Sequence, residues 1–335
     1  MPPLKNIIVA PGDAGLRLDR WFKVHYPGIG HGELQRLLRT GQVRVDGKRA
    51  KANLRLGAGV EVRVPSRARA AQSERPRSTP KAPVPKPEEA AELRRRVLYR
   101  DDDIIVLDKP AGLAVQGGTA THRHLDGMLD ALRFGAGERP RLVHRLDKDT
   151  SGALVLARGR AAARFLTAAF RGRDVRKLYL AVTVGVPRPR RGRISLALAK
   201  AGAPGHQRMA AGGTAGQGEG ARRGAVTLYD TLDSAGTRAA LVALMPLTGR
   251  THQLRAHLAA IGTPILGDGK YGGRGAFMEG DGLEKRLHLH ARAMEFAKPG
   301  GGILRVCAPF PAHLEAALDA FGFAASGPED AFPRE

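Results

Sequence analysis

The chain has little of what several protein classes depend on. Its 335 residues include one cysteine, Cys307, so an intrachain disulfide and a cluster of thiolates for structural zinc are both excluded. No segment has the roughly 20 consecutive apolar residues of a membrane-spanning helix, and the first residues lack the apolar core of a signal peptide. These absences predict a soluble, cytoplasmic protein with no membrane association.

Acidic residues are also scarce. The 55 lysines and arginines outnumber the 32 aspartates and glutamates, so the formal net charge is +23. A surplus of this size favours a partner with a long phosphate backbone, although an anionic membrane surface would attract the same charge. Because 42% of the residues are hydrophobic, the chain can still bury a core, which excludes wholesale disorder.

Composition divides the chain into three parts. Residues 15–64 are compact and basic, and residues 65–96 are rich in proline with almost no large apolar side chain, which predicts a flexible linker. Residues 97–325 form a large domain in which strands outnumber helices, so we predict an α+β fold with a central, mainly antiparallel mixed β-sheet. Within it, the basic, glycine-rich stretch 188–224 fits no regular element and is predicted to be a mobile excursion.

The small N-terminal domain carries a basic surface. Helical spacing predicts two short helices, and the Asp46-Gly47 pair predicts a hairpin turn after them. Its outward cations either form a solvated face around a small core or contact phosphate. The candidate phosphate contacts are Arg36, Arg39, Arg44, Lys48 and Arg49.

Three segments of the large domain indicate chemistry. In LVHRLDKDTSG, Asp147 lies between Arg145 and Lys148, and nearby cations keep a carboxylate ionised as a nucleophile or base. A loop of structural ion pairs is the alternative.

In LTGRTHQLRAH, Arg250 follows a strand and Arg255 lies in the next helix. His252 and His257 are five residues apart, the wrong spacing for a helical metal site, so no metal is expected and His252 is interpreted as a hydrogen-bonding scaffold residue. In RKLY, Tyr179 could stack on a base while Lys177 holds phosphate, or it is a half-buried structural tyrosine.

The motifs HRLDKDTSG, LDKPAG, RKLY, LTGRTHQLRAH, ILGDGKYGG and RLHLHA occur in an order and spacing that resemble the RluA family of pseudouridine synthases, over about residues 97–310. Residues 15–64 resemble the S4 RNA-binding module. The combination is most similar to the RluC-type members, which modify large-subunit (23S) ribosomal RNA. The resemblance implies a mainly antiparallel sheet with the cleft across its middle and catalysis without metal or cofactor.

The resemblance also implies roles for individual residues. Asp147 would be catalytic, Tyr179 would pack against the target base, and Arg250 would pair with Asp147. Arg145 would fill the position that the flipped base leaves. Lys148 either touches phosphate or neutralises its loop. The predicted RNA contacts of this domain are Arg145, Lys148, Lys177 and Arg255.

We therefore predict an isomerase, a site-specific pseudouridine synthase acting on large-subunit ribosomal RNA. It is expected to be a monomer without an obligate protein partner. A synthase acting on tRNA or small-subunit ribosomal RNA and a non-catalytic ribosome-assembly factor are the alternatives. A hydrolase is disfavoured because a second catalytic carboxylate is missing; Asp149, two residues away, more plausibly supports the loop.

Overall fold

The computed structural model describes residues 5–65, 85–117, 123–172, 174–201, 208–211, 224–280, 283–324 and 332–333. The chain divides into two compact units, Met1–Lys81 and Ala82–Glu335. None of the described helices is both long and apolar enough to cross a bilayer.

The first unit packs two helices against a small antiparallel sheet. The helices are α1 (Leu18–His25) and α2 (His31–Arg39), and the strands are β1 (Lys5–Ile8), β2 (Arg44–Val45), β3 (Lys48–Arg49) and β4 (Glu61–Val64), in the order β1-β4-β2-β3. Both helices bury the apolar residues that helical spacing places on one face, including Trp21 and Leu37. Asp46 and Gly47 both have positive φ, as a tight turn between β2 and β3 requires.

The second unit is built on a large sheet. Its strands are β5 (Val97–Arg100), β6 (Ile104–Lys109), β7 (Arg141–Leu142), β8 (Ser151–Ala157), β9 (Arg176–Val184), β10 (Arg191–Ser195), β11 (Leu198–Ala201), β12 (Arg208–Ala211), β13 (Val226–Ala235), β14 (Ala239–Pro246), β15 (Leu289–Ala297) and β16 (Ile303–Cys307). Its helices are α3 (Pro87–Arg95), α4 (Leu125–Met128), α5 (Arg160–Arg171), α6 (Gln253–Ala260) and α7 (Ala312–Phe321).

The strand order confirms the predicted fold class. Among the described residues, ten strands form one sheet with the path β10-β13-β14-β9-β15-β8-β6-β5, and β16 and β7 add to β15 and β8. Strands β8 and β15 pair in parallel, and the other described strand pairs of this sheet are antiparallel. The sheet is therefore mixed and mainly antiparallel, and the parallel junction seen among the described strands lies at its centre, at the last two residues of the HRLDKDTSG segment.

The segment predicted as a linker contains a helix. Helix α3 starts at Pro87, has acidic residues in its first turn and basic residues in its last, and so complements its own dipole. Leu93 is 3% exposed and packs in the core beside β6 and β8. The second unit therefore begins earlier than residue 97, and composition missed this because one leucine supplies the helix's contact with the core. Residues 66–84 lie outside the described part.

The basic stretch 188–224 is partly ordered into strands. Strand β10 pairs with β13, and β11 pairs with β12 as a separate two-stranded ribbon. The first part of the stretch is thus regular where an irregular excursion was predicted. Residues 202–207 and 212–223, which hold most of its glycines, lie outside the described residues.

Two core histidines make the stability of the second unit sensitive to acid. His290 is 1% exposed and His313 is 4% exposed, and burial lowers the pKa of each to about 4. The unfolded chain binds these protons near pH 6.5, so stability is complete above that pH and is lost as pH falls toward 4. At about pH 5 we expect each histidine to lower the free energy of unfolding by about 2 kcal/mol relative to its value above pH 6.5.

Thermal unfolding of the full chain as a function of pH checks this expectation. His290→Gln should flatten the decline between about pH 7 and pH 5, whereas the same change at exposed His31 should leave the slope unchanged. A pH-independent melting temperature over this range would contradict the assignment.

Candidate active site

A cavity of about 370 Å³ lies where the chemically distinctive segments meet. Its walls come from the loop before β8, from β9, from α5 and from the turn that leads into α6. This volume is within the range of small-molecule sites. Six of the predicted residues line it: Arg145, Asp147, Lys177, Tyr179, Arg250 and Arg255.

A buried lysine fixes the loop that carries Asp147. Lys109, at the end of β6, is 0% exposed, and its ammonium donates to the carbonyls of Pro110, Leu113 and Lys148 at 2.8, 2.9 and 3.0 Å. Burial lowers its pKa to about 8, against the opposing pull of the Asp149 and Asp147 carboxylates. The LDKPAG turn is thereby tied to the backbone one residue after Asp147.

A neutral histidine holds the other side of this loop. His144 stacks on Phe170 with ring centroids 4.1 Å apart, and its Nε2 accepts the Val155 backbone N–H at 2.8 Å. Burial lowers the pKa of His144 to about 3, so the ring stays an acceptor near neutral pH. The loop thus stays attached to β8 on one side and to α5 on the other.

The parallel junction fixes the end of the loop. Gly152 has φ of +107°, and a Cβ there would overlap the carbonyl oxygen of Ala291 on β15. The neighbouring Ser151 hydroxyl is 2.9 Å from Nδ1 of His290. A glycine is required at position 152 because the two strands pair at close range there.

Asp147 is the one carboxylate among the described residues that line the cavity. Tyr179, on β9 between β14 and β15, is half-buried in the same wall. Burial, with a contribution from the Asp147 carboxylate, raises the pKa of the Tyr179 phenol. The phenol therefore keeps its proton near neutral pH.

The basic group beside Asp147 differs from the predicted one. Nε2 of His252 is 3.9 Å from Oδ1 of Asp147, and no arginine or lysine of the described chain lies as close. Arg250 lines the cavity, but its Nε donates to the carbonyl of Gly224 at 3.3 Å. The expected pairing of Arg250 with Asp147 is not observed, because the side chain follows the turn toward Gly224.

His252 has an unusual conformation that sequence analysis did not predict. It lies in the left-handed region with φ of 52°, one residue before α6 begins. Its Nδ1 is 2.9 Å from the Tyr271 hydroxyl. Burial lowers its pKa, against the pull of Asp147. The LTGRTHQLRAH motif draws attention to His252, but it cannot predict the contact with Tyr271, because Tyr271 lies outside the motif.

Arg255 is placed differently from the RNA contact predicted for it. It is 7% exposed, and its Nε and Nη2 donate to the Asp268 carboxylate at 2.8 and 2.7 Å. Its guanidinium carbon lies 5.1 Å from the Tyr271 ring centroid. The side chain therefore supports Tyr271 and, through it, His252.

The remaining predicted cations are divided between the two units. Arg145 is exposed at the cavity and Lys177 is half-buried in its wall, where burial lowers the Lys177 pKa. Lys148 is exposed on the same loop but does not line the cavity. Arg36, Arg39, Arg44, Lys48 and Arg49 all belong to the first unit.

The first unit also contains a basic residue, Arg63, that sequence analysis missed. Arg49, Arg44 and Arg63 are register neighbours across β3, β2 and β4. The Arg44 and Arg63 guanidinium groups both donate to the carbonyl of Gly41. Adjacent like charges are unfavourable in a sheet, so such a row is typical of a surface that meets an anion.

In the described part of the chain, no cluster of three or more histidine, cysteine or acidic side chains could hold a metal ion. The cavity wall combines one carboxylate, a neutral phenol and several cations. Such a site can attack or deprotonate a sugar carbon, stack on an aromatic base and hold phosphate.

Comparison with known proteins agrees with this chemistry. The family model described as RNA pseudouridylate synthase matches residues 103–260. The chain is 35% identical over 324 residues to ribosomal large subunit pseudouridine synthase C of Escherichia coli K12, covering 95% of this chain and 96% of that protein. It is 37% identical over 313 residues to the protein of that name from Vibrio cholerae, covering 91% and 93%.

Solved structures give the same result. Human RNA pseudouridylate synthase domain containing 4 is 31% identical, with a TM-score of 0.57 over 70% of this chain and 95% of that one. Human RNA pseudouridylate synthase domain containing 1 is also 31% identical, with a TM-score of 0.53 over 68% and 87%.

Proposed function

Because the chain belongs to the RNA pseudouridylate synthase family, we propose that it isomerises uridine to pseudouridine in large-subunit ribosomal RNA. The observation that carries this proposal is the carboxylate of Asp147, the one carboxylate that the described residues contribute to the wall, which shares with Tyr179 a cavity otherwise rich in cations. The relatives in Escherichia coli and Vibrio cholerae are named for the large ribosomal subunit and match over nearly their whole length.

Asp147 starts the reaction at the sugar. The N1–C1′ bond of the target uridine breaks, the uracil turns within the cavity, and a C5–C1′ bond forms. The carboxylate acts either as nucleophile at C1′ or as the base that begins a glycal route. The proton that leaves C5 balances the one that N1 gains, so the reaction needs no external oxidant, reductant or cofactor.

Tyr179 holds the detached base and relays a proton. Its ring offers a flat apolar surface at the cavity wall, and its raised pKa keeps the phenol protonated. A neutral phenol can accept a proton only while donating its own, which suits a relay from C5. Arg145 then fills the position that the flipped base leaves, and Arg250 holds the extruded nucleotide. These contacts offset the few kcal/mol that base flipping costs.

The first unit is an S4-like RNA-binding domain in this proposal. The row Arg49, Arg44 and Arg63 contacts the phosphate backbone, with Arg36, Arg39 and Lys48 exposed on the same unit. The protein acts as a cytoplasmic monomer, where ribosomal RNA is its partner, and requires no metal or cofactor.

Mapping of pseudouridine after incubation of the purified protein with unmodified large-subunit ribosomal RNA tests the proposal. Discrete modified positions are expected. Small-subunit ribosomal RNA and tRNA are treated in parallel, and modification of one of these alone would overturn the large-subunit assignment. Tight RNA binding without pseudouridine in any of the three would instead favour the assembly-factor alternative.

A further inference from the structure

A second groove, of about 730 Å³, runs along the outer face of α5. Four arginines line it: Arg141, Arg160, Arg164 and Arg171. Thr167 and Arg171 line both this groove and the active-site cavity. The two depressions therefore adjoin at these residues, and a chain leaving the cavity on this side would lie along α5.

The helix presents these arginines as one stripe. Arg160, Arg164 and Arg171 are separated by four and seven residues, which places them on one face of a helix. All three are exposed, and in the described part of the chain none of them has a carboxylate within ion-pair distance. Arg141 is paired with Glu138 at 3.3 Å.

Such a stripe is costly without an anionic ligand. Like charges one turn apart destabilise a helix, and α5 has no acidic residue in its first turn to offset them. At a rise of about 1.5 Å per residue, the stripe extends for roughly 16 Å. Along the helix axis Arg160 and Arg164 are about 6 Å apart, a spacing comparable to that of neighbouring phosphates in a nucleic-acid strand, and Arg164 and Arg171 are about 10 Å apart.

We propose that this groove, the α5 arginine groove, binds the sugar–phosphate backbone of the RNA strand that flanks the target uridine. The inference rests on the proposed function, because it takes the strand's starting point from the uridine in the cavity. The groove floor between the arginines is made by Ala163 and Ala168. Guanidinium groups over such a floor contact phosphate in any sequence, so the groove positions the strand and does not select bases.

Salt-dependent binding of a short labelled single-stranded RNA to the full-length protein tests the groove. Arg164→Gln is compared with Arg238→Gln, which removes the same charge at the turn between β13 and β14, at the other end of β14 from the cavity. We expect Arg164→Gln to weaken binding roughly fivefold and to reduce the slope of log K against log salt by about 0.7. The double variant Arg160→Gln/Arg164→Gln should reduce the slope by about twice as much.

Binding and pseudouridine formation are measured separately, so the two proposals fail separately. Wild-type protein that binds RNA without forming pseudouridine would overturn the proposed function, and the binding slopes would still test the groove. Equal losses in Arg164→Gln and Arg238→Gln would overturn the groove, since only the overall field would then matter. An unchanged slope in the double variant would also overturn it and leave an acidic protein surface as the occupant to test.

Discussion

Replacing Asp147 by Asn is expected to lower pseudouridine formation by more than about a thousandfold, because the amide can neither attack C1′ nor remove a proton. The change keeps the size of the side chain in a loop held by Lys109, His144 and Gly152. RNA affinity should therefore stay within about twofold. Single-turnover assays on unmodified large-subunit ribosomal RNA, with RNA binding measured in parallel, check both parts.

Asp149→Asn is the matched control for this variant. Asp149 is exposed on the same loop, two residues on, and the change removes the same charge near Lys109. We expect its rate to stay within severalfold of wild type. Equal, large losses in the two variants would mean that loop charge, and not the chemistry of Asp147, governs the rate. Substantial activity in Asp147→Asn would overturn the assignment of the catalytic carboxylate.

Asp268→Ala is expected to destabilise the second unit by about 3–5 kcal/mol, because it leaves a buried guanidinium without its counter-charge. Arg255 is 7% exposed and Asp268 is 1% exposed, and two hydrogen bonds join them. Asp268 Oδ1 also accepts the backbone N–H of Tyr271 at 3.2 Å. Denaturant unfolding of the full chain measures the loss. Asp268→Asn, which keeps a hydrogen-bond acceptor in place, should have a free energy of unfolding between those of the wild type and Asp268→Ala.

An exposed pair of the same chemistry provides the control. Arg191 donates to Asp230 at 2.9 Å, with side chains 65% and 25% exposed, so Asp230→Ala should cost no more than about 1 kcal/mol. Under conditions where both variants are folded, Asp268→Ala should also slow catalysis more, since Arg255 supports Tyr271 and Tyr271 contacts His252. Equal stability of the two variants would contradict the buried pair.

Much of the fold could be predicted because local patterns and tertiary contacts agree. Leu18 and Trp21 in α1, and Leu34 and Leu37 in α2, repeat with helical spacing and are buried. Asp46-Gly47 forms its turn with positive φ at both residues, which few other pairs adopt. Helix α3 was missed because a segment with one core leucine has the composition of a linker, and only its packing shows otherwise.

The cavity, too, could be predicted from the sequence only in part. The residue types of HRLDKDTSG indicated an active carboxylate, and the resemblance to a family indicated Tyr179 and Arg250 beside it. All three line one cavity, as expected of a site. The neighbour of Asp147 is nevertheless His252, and Arg255 is committed to Asp268, because side-chain partners depend on the rotamers and backbone of segments far apart in the chain.

The sequence by itself determined much of the strand and helix pattern, the basic character and the family, because these depend on residue type and spacing. Tertiary structure alone decided which cations are free and which are already paired. Arg164 and Arg255 are the same residue type on helices, yet one is exposed along a groove and the other is bound to a buried carboxylate. The reason is physical: the energy of a charge depends on its burial and on the partner that folding brings to it.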